Sequence, residues 1–194
     1  MTYDPNVHRR RSIRVKGYDY SQAGMYFLTI CTHERACLFG EVTGGIMHPN
    51  DAGCIVQATW NALPEHYAHV MLDVFVIMPN HVHGIVVLNS AERAGLKPAP
   101  TTRHGLSEIV RAFKTFSSRC INNCQGTRGS RIWQRNYWEH IIRNDTELLS
   151  IREYIQSNPV QWELDKLHPQ SQQTQITGSR WQVGAGFKPA HSER

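Results

Sequence analysis

The apolar residues of this chain fall into two kinds of pattern, β-prone runs and stripes at helical spacing, which predict its strands and helices. Segments rich in β-branched and aromatic residues predict four strands, at 25–32 (MYFLTICT), 69–78 (HVMLDVFVIM), 81–88 (HVHGIVVL) and 132–143 (IWQRNYWEHIIR). Only the Pro-Asn pair at 79–80 separates the second strand from the third. Because this pair is typical of turns, we expect these two strands to form a β-hairpin.

Apolar residues at helical spacing predict two helices between the strands. The first lies within 50–66 and ends near Pro64, and the second covers 106–122. Each helix has a stripe that we expect to be buried, formed by Ile55, Thr59 and Leu63 in the first and by Ile109, Phe113 and Phe116 in the second.

A third helix has the clearest start signal in the chain. Asn144 is a good N-cap, and Glu147, three residues later, completes a capping box ahead of LLSIREYI. The helix ends before Pro159, because proline disfavours helical geometry in the residue that precedes it. The order strand, helix, hairpin, helix, strand, helix predicts an α+β fold, a ferredoxin-like antiparallel sheet with helices packed on it.

Length and composition place these elements in one domain. The 194 residues suit a single core, which we assign to 18–166, with a loop insertion at 89–104 that lacks periodicity. Residues 167–194 are polar and rich in Gln and Ser, which predicts a flexible tail. No apolar run reaches the ~18 residues of a membrane span, and the five scattered cysteines do not suggest a disulfide framework. We therefore expect a cytoplasmic protein without a membrane partner.

The net charge is +5 at neutral pH, and the start of the chain concentrates it. Residues 1–17 form a basic arm that contains Arg9, Arg10, Arg11, Arg14 and Lys16. Such an arm is compatible with binding to nucleic acid, and an unstructured lead-in is the alternative interpretation.

Two histidines stand one residue apart in an apolar, β-prone segment. Because side chains alternate along a strand, His81 and His83 are predicted to point to the same face, and Val82 to the other. Two neutral imidazoles on one face of a rigid strand can share a cation. The alternative is that they are partly exposed histidines at the end of a hairpin, and the pair alone does not decide between the two.

A phenol and an amide lie four residues apart on the capped helix. Tyr154 and Asn158 therefore share one face of that helix. Taken alone, the tyrosine suits core packing and the asparagine a cap. Placed beside the histidines, they could form one site in which His81, His83 and the Asn158 side chain hold a metal and Tyr154 is the nucleophile.

Three separated motifs, taken together, resemble a known family. MPNHVHGIVV, WQRNYWEHIIRN and YIQSNPV, in this order, resemble the REP-associated tyrosine transposases, relatives of the single-tyrosine HUH transposases of insertion sequences. The resemblance extends from about residue 10 to residue 166. It implies the HUH endonuclease fold, in which the His-hydrophobe-His strand is central in the sheet and the tyrosine lies on a following helix.

The resemblance also implies a site and a reaction. Tyr154 corresponds to the family's nucleophile, His81 and His83 to its metal pair, and Asn158 to its third polar ligand. The expected activity is cleavage and rejoining of single-stranded or hairpin DNA at palindromic repeats. The expected intermediate is a 5′-phosphotyrosine, and the expected cofactor is Mg²⁺ or Mn²⁺. Relatives act as monomers or as homodimers that exchange the tyrosine helix, so both assemblies remain open.

Further side chains are candidates for contacts with DNA or for proton transfer. The candidate phosphate contacts, which could equally be solvated surface charges, are Arg111, Lys114, Arg119 and Arg135. The aromatic residues that could stack on bases or pack in the core are Trp133, Tyr137 and Trp138. Glu139 and His140 are candidate auxiliary acids or bases, with polar strand-edge residues as the alternative.

Two other functions are compatible with the same residues. The first is a sequence-specific DNA-binding protein that keeps the fold and lacks catalysis. The second is a metal-dependent hydrolase that uses activated water, in which Tyr154 would be dispensable. A covalent adduct between the protein and DNA distinguishes the transposase from both.

Overall fold

The computed structural model describes residues 18–89 and 104–169. The strands in these two ranges are β1 (Gly24–Cys31), β2 (Gly40–Thr43), β3 (Ile46–Pro49), β4 (Val70–Met78), β5 (His81–Leu88) and β6 (Trp138–Ile142). The helices are α1 (Asp51–Asn61), α2 (Leu63–His66), α3 (Leu106–Gln125) and α4 (Asp145–Ser157), with short 3-10 helices at His33–Arg35 and Trp162–Leu164. The predicted basic arm, most of the predicted loop and most of the predicted tail lie outside the described residues.

Four strands form one antiparallel sheet in the order β4-β5-β1-β6. The chain runs β1, α1, β4, β5, α3, β6 and then α4. The first and third strands of this sheet are therefore central, which is the ferredoxin-like arrangement. The predicted α+β fold is confirmed, and β5, the strand with the two histidines, is a central strand.

The β4–β5 hairpin closes tightly above the histidines. Met78 pairs with His81, so only Pro79 and Asn80 form the turn, as the sequence predicts. On the other side of β5, His81 pairs with Cys31 and His83 with Thr29 of β1. The rigid neighbours on both sides hold the backbone of the histidine strand in one register.

Each face of the sheet has its own apolar core. α1 and α3 cover one face, where their apolar stripes pack against the alternate side chains Tyr26, Leu28, Val82 and Val86. α4 covers the opposite face and packs on Phe27, Ile85 and Ile142 through Leu148, Ile151 and Ile155. His81 and His83 follow the alternation of Ile85 and therefore lie on the face of α4.

α4 begins as the capping signal predicts. The Asn144 side chain accepts a hydrogen bond from the Glu147 N–H at 2.8 Å. The Glu147 carboxylate, in turn, accepts a bond from the Arg143 N–H at 2.8 Å, one residue earlier than the ideal capping box. The start of α4, the tyrosine helix that carries Tyr154, is thus fixed by hydrogen bonds between residues close in sequence.

Three predicted elements differ from the structure. The helix predicted to end near Pro64 ends at Asn61, because Pro64 lies in the first turn of the separate helix α2, where its missing N–H costs nothing. The strand predicted at 132–143 covers only Trp138–Ile142, and Trp133 makes a single bridge to Thr32. Phe116, predicted to be buried, is 49% exposed and stacks against the His66 ring.

The β2–β3 hairpin was not predicted. It turns at Gly44 and Gly45, both with positive φ, which is the backbone geometry that a two-residue hairpin turn requires. In the part of the chain that the structure describes, no helix is long and apolar enough to cross a membrane.

Candidate active site

The two histidine rings meet in an edge-on contact on the α4 face of the sheet. The Nε2 atoms of His81 and His83 are 3.1 Å apart, and both residues are fully buried. Two ligands bound at right angles to one ion, each at about 2.1 Å, stand about 3 Å apart. The separation of the two nitrogens therefore suits a shared octahedral cation.

Side chains behind the histidines fix the orientation of the rings. Asn80 Oδ1 lies 2.8 Å from Nδ1 of His81, and Thr29 Oγ1 lies 2.9 Å from Nδ1 of His83. An Nδ1–H that donates to oxygen leaves the Nε2 lone pair free to bind a metal. Asn80 belongs to the hairpin turn and Thr29 is the cross-strand partner of His83, so the sheet itself supplies both supports.

Burial keeps both imidazoles neutral at neutral pH. It lowers the pKa of His83 to about 3. It also lowers the pKa of His81 well below its ordinary value, and the second cause is the repulsion that a protonated His81 would meet from a protonated His83. Neutral imidazole is the form that binds metal ions, so these histidines need not lose a proton before a cation binds.

The phenol of Tyr154 lies at the edge of the histidine pair. Its hydroxyl oxygen is 3.4 Å from Nε2 of His83, and its ring packs edge-on against Phe27. Burial, followed by the charge of Asp165, raises the pKa of this phenol well above its ordinary value, and the Asn158 amide opposes them. The phenol is half-buried and protonated at neutral pH, and its oxygen faces the site rather than packed hydrocarbon.

The other predicted ligand, Asn158, also reaches the site. It is 3% exposed, and its Oδ1 atom has no hydrogen-bond partner among the described residues. A buried acceptor without a partner costs free energy unless something binds to it. Its Nδ2 atom, by contrast, lies 3.4 Å from the Asp165 carboxylate. A buried oxygen without a partner is a suitable ligand for a cation.

Asp165 adds a carboxylate that the sequence analysis missed. One Asp165 oxygen lies 3.9 Å from Nε2 of His81, and the candidate ligand atoms of His81, His83 and Asp165 all lie within 4.8 Å of one another. The Leu167 N–H donates to Asp165 at 2.7 Å and helps to hold the carboxylate in place. Imidazole, carboxylate and amide oxygen ligands together suit a divalent cation such as Mn²⁺ or Mg²⁺.

The segment that carries Asp165 packs on the site and continues past the predicted domain boundary at residue 166. The buried Trp162 lies 6.0 Å from the His81 ring, measured between ring centroids. The carbonyl of Leu167 accepts a 2.7 Å hydrogen bond from Asn80, the residue that orients His81. No periodic pattern marks this segment, and a lone Asp in QWELDKL gives no signal of metal binding. Its role follows only from tertiary contacts.

The structure does not bring the predicted auxiliary residues to the histidine pair. Glu139 alternates with Trp138 on β6, so it points to the opposite face of the sheet, where it is 8% exposed. His140 lies on the face of α4, but its Nε2 atom bonds to the Glu147 carboxylate at 2.6 Å. Its contact with Glu147 joins β6 to the first turn of α4, which is a structural role.

Lys114, a predicted phosphate contact, binds the protein's own backbone. Its ammonium group donates to the carbonyls of Gln134 and Asn136 at 2.8 and 2.9 Å and lies over the Tyr137 ring. Burial lowers the pKa of Lys114 to about 8. These bonds take up the carbonyls of Gln134 and Asn136, although the Gln134 N–H still donates to the Cys31 carbonyl at 2.9 Å, and β6 begins later than predicted, at Trp138.

The other predicted DNA contacts occupy several surfaces. Arg119 and Arg135 are exposed, and Arg111 is 76% exposed and 3.6 Å from Glu108. The basic residues Arg9, Arg10, Arg11, Arg14 and Lys16 lie outside the described residues. Among the aromatic candidates, Trp133 is buried and donates to Ser117, whereas Trp138 is half-buried and stacks on His140.

Sequence comparison identifies the family. Residues 56–158 match the family model described as "Transposase IS200 like". The chain belongs to this family of IS200-like transposases. The matched residues include the β4–β5 hairpin, both histidines, Tyr154 and Asn158, whereas Thr29 and Asp165 lie outside the match.

Two curated relatives from Haemophilus influenzae support the assignment. One, an uncharacterized protein, is 40% identical over 176 residues, which are 86% of this chain and 97% of the relative. The other is named "Putative REP-associated tyrosine transposase" and is 30% identical over 147 residues, 73% of each chain. The resemblance found in the three motifs is thereby confirmed.

A solved structure shows the same fold. It is a REP-associated tyrosine transposase bound to a REP hairpin, and it covers 93% of this chain and 98% of its own, with a TM-score of 0.51. Only 18% of the aligned residues are identical, so this likeness supports the fold and not the details of the site.

Proposed function

We propose that this IS200-like transposase cleaves and rejoins single-stranded or hairpin DNA at palindromic repeats through a 5′-phosphotyrosine intermediate. The observation that carries the proposal is the position of the Tyr154 hydroxyl, 3.4 Å from Nε2 of His83 in a buried histidine pair. A relative seen with a REP hairpin, and another named for REP-associated transposition, support this class of DNA as the target.

The chemistry assigned to the chain's own residues is a transesterification. The Tyr154 oxygen attacks phosphorus, the bond from phosphorus to the 3′ oxygen breaks, and a 5′-phosphotyrosine and a free 3′-OH result. The phenol loses one proton and the leaving oxygen gains one. The new phosphotyrosine retains the energy of the phosphodiester, so a 3′-OH can reverse the step and join two strands without ATP.

We further propose that His81, His83 and Asn158 hold Mg²⁺ or Mn²⁺, with Asp165 as an additional ligand. A bound divalent cation supplies charge that offsets the negative charge on the phosphate oxygens. Imidazole ligands favour Mn²⁺ in affinity, and the greater abundance of Mg²⁺ in cells favours that ion. Monomeric and homodimeric assemblies, and a cytoplasmic location, remain predictions.

A covalent-adduct assay tests the proposal. Hairpin oligonucleotides with single-stranded flanks, taken from palindromic repeats near the coding sequence, are incubated with the protein and Mn²⁺. We expect a protein–DNA adduct that resists denaturant with the parent, and none with Tyr154→Phe, which lacks the attacking oxygen. Tyr67→Phe is the matched control, because Tyr67 caps α2 on the other side of the sheet and should form the adduct normally.

Each other outcome identifies a different function. Cleavage that produces no adduct, and that persists in Tyr154→Phe, would indicate a hydrolase that uses activated water. Hairpin binding without cleavage by any variant, in either metal, would indicate a DNA-binding protein that has lost catalysis.

A further inference from the structure

Trp138, the first residue of β6, lies in the same cross-strand row of the sheet as His83. Thr29 of β1 pairs with His83 on one side and with Trp138 on the other. Because neighbouring strands lie about 4.8 Å apart, the backbone of Trp138 is about 10 Å from that of His83. Directly paired residues point to the same face of a sheet, so both side chains lie on the face of α4.

One buried ring separates Trp138 from the candidate nucleophile. The centroid of the Phe27 ring is 5.5 Å from that of Trp138, 6.0 Å from that of Tyr154 and 5.4 Å from that of His83. Phe27 is fully buried, whereas Trp138 and Tyr154 are half-buried. The indole and the phenol therefore share a rigid neighbour, and each has part of its surface available to a ligand.

The path of α4 explains why Trp138 is not fully covered. β6 is an edge strand, and α4 begins just after β6 ends, at the end of the strand away from Trp138. From there α4 crosses the sheet toward β4, where Arg152 binds Asp73, and brings the Tyr154 hydroxyl to His83. The helix thus moves away from the end of β6 that lies in the histidine row.

A second ring holds the indole in place. The His140 ring lies parallel to Trp138, with an angle of 8° and 5.9 Å between the ring centroids. Nε2 of His140 is 2.6 Å from the Glu147 carboxylate, so the imidazole is itself fixed. An indole held by two neighbouring rings has little conformational freedom left to lose when a ligand stacks on it. Trp138 is therefore preorganised for a planar ligand.

The groups around the histidine pair indicate which planar ligand this is. Among the described residues, α4 covers the β4 side of the pair, and the segment from Trp162 to Leu167 packs at the hairpin turn. The side toward β6 is less covered, because Trp138 there is half-buried. A DNA strand whose phosphate lies at Tyr154 has a base within the span of one nucleotide from this phosphate. An unpaired base stacks on an aromatic side chain whatever its sequence.

We propose that Trp138 binds DNA by stacking on the unpaired base next to the phosphate that Tyr154 attacks. This role rests on the proposed transesterification and adds to it a contact that helps to place the phosphate against the phenol. His140 and Glu147 hold the indole in position for the base. Because stacking uses the flat surface of the base, the contact selects single-stranded DNA and not a particular base.

Abasic nucleotides test the contact one base at a time. Hairpin oligonucleotides carry an abasic nucleotide at each successive position of the single-stranded flank, and their affinity for the protein is measured with the metal chelated. In the parent, we expect the abasic nucleotide next to the cleaved phosphate to lower the affinity about 10-fold. Trp138→Leu should lower the affinity for the intact oligonucleotide by a similar factor. The same abasic nucleotide should then cost this variant less than about twofold.

Two further variants distinguish stacking from disturbed packing. Trp138→Phe keeps a smaller ring, so it should retain part of the penalty at the same position. Phe116→Leu removes an exposed aromatic ring from α3, on the opposite face of the sheet, and should show the profile of the parent. If Trp138→Leu merely disturbs the packing on Phe27, its affinity for intact and abasic DNA falls equally and the penalty persists. A penalty that persists in Trp138→Leu, or no penalty at any position in the parent, overturns the proposal.

The position of the covalent adduct separates failure of this inference from failure of the proposed function. The adduct identifies the phosphate that Tyr154 attacks. If the adduct forms and the base that depends on Trp138 is remote from this phosphate, the proposed position of Trp138 is wrong. If the parent forms no adduct, the transesterification fails, and the abasic series alone decides on stacking. Loss of the penalty in Trp138→Leu then supports the contact with a base, and its persistence overturns that contact.

Discussion

At the residue scale, the candidate site is a set of side chains whose partners restrict what they can do. His81 and His83 each use one ring nitrogen to bind a neighbour within the sheet, Asn80 or Thr29, and turn the other toward its companion. The oxygen of Asn158 is left without a partner among the described residues. These contacts support the proposed metal site, because they fix the two rings before any ion binds, and the residues behind proposed ligands commonly matter as much as the ligands themselves.

Thr29→Val should weaken metal binding without unfolding the protein. The substitution keeps the side-chain shape and removes the oxygen 2.9 Å from Nδ1 of His83, so the ring loses its orienting partner. Loss of such a support typically costs 10–100-fold in metal affinity, and we expect about 10-fold here. Calorimetric titration with Mn²⁺ measures it. Thr115→Val, on the exposed surface of α3, is the control, and equal affinities in the parent, Thr29→Val and Thr115→Val would contradict the prediction.

Local periodicity predicted part of the site, and long-range contacts supplied the rest. The alternation of a strand placed His81 and His83 on one face, and helical spacing placed Tyr154 and Asn158 together. Both juxtapositions are present in the structure. Asp165 could not be found in this way, because it lies in an aperiodic segment and reaches the histidines only through the packing of Trp162 and Leu167. Asn80 was identified as a turn residue, and its bond to His81 required the hairpin geometry.

At the element scale, the sequence predicted the central strands of the sheet better than the start of its edge strand β6 and the separate β2–β3 hairpin. The central strands and the tyrosine helix have strong patterns and clear caps, and they lie where predicted. The predicted start of the strand at 132–143 was wrong, because the carbonyls of Gln134 and Asn136 bind Lys114, a long-range contact that no local pattern reveals. The Gly44-Gly45 pair was a local signal for the missed β2–β3 hairpin.

Gly84 sets how closely α1 approaches the histidine strand. A Cβ atom at Gly84 would lie 2.6 Å from the Trp60 ring and 2.8 Å from the Phe75 ring, and these two rings stack on each other at 4.4 Å. Gly84→Ala therefore overpacks the core next to His83 and should lower the free energy of unfolding by about 1–3 kcal/mol. Urea denaturation measures the loss.

A double-mutant cycle identifies the cause of that loss. In a Trp60→Phe background the aromatic neighbour is smaller, so Gly84→Ala should cost less than in the parent. Equal costs in both backgrounds would show that contact with Trp60 is not responsible, and would favour a change in strand propensity instead.

At the scale of the whole molecule, one charged pair joins the tyrosine helix to the far edge of the sheet. Arg152 on α4 binds Asp73 on β4 through two nitrogens, with Nε 3.0 Å from one carboxylate oxygen. Asp73 lies at the irregularity of the β4–β5 ladder, and its carboxylate also accepts from the Val74 N–H at 2.7 Å. The pair helps to set the position of α4, and therefore of Tyr154, relative to the two histidines on β5.

This pair should make stability depend on pH in the acidic range. The hydrogen bond from Arg152 is the main cause that lowers the pKa of Asp73 in the folded protein. A carboxyl whose folded pKa is depressed stabilises the fold above its unfolded pKa, about 3.9, and that contribution is lost as pH falls through the folded value. Asp73→Asn, which keeps an acceptor for the Val74 N–H, should lower the urea midpoint at pH 7. The difference from the parent should shrink as the pH falls from about 5 toward 2. Because the other carboxyl groups titrate in both proteins, the comparison isolates Asp73. A difference that stays constant with pH would show that the Asp73 charge does not contribute to holding α4 on the sheet.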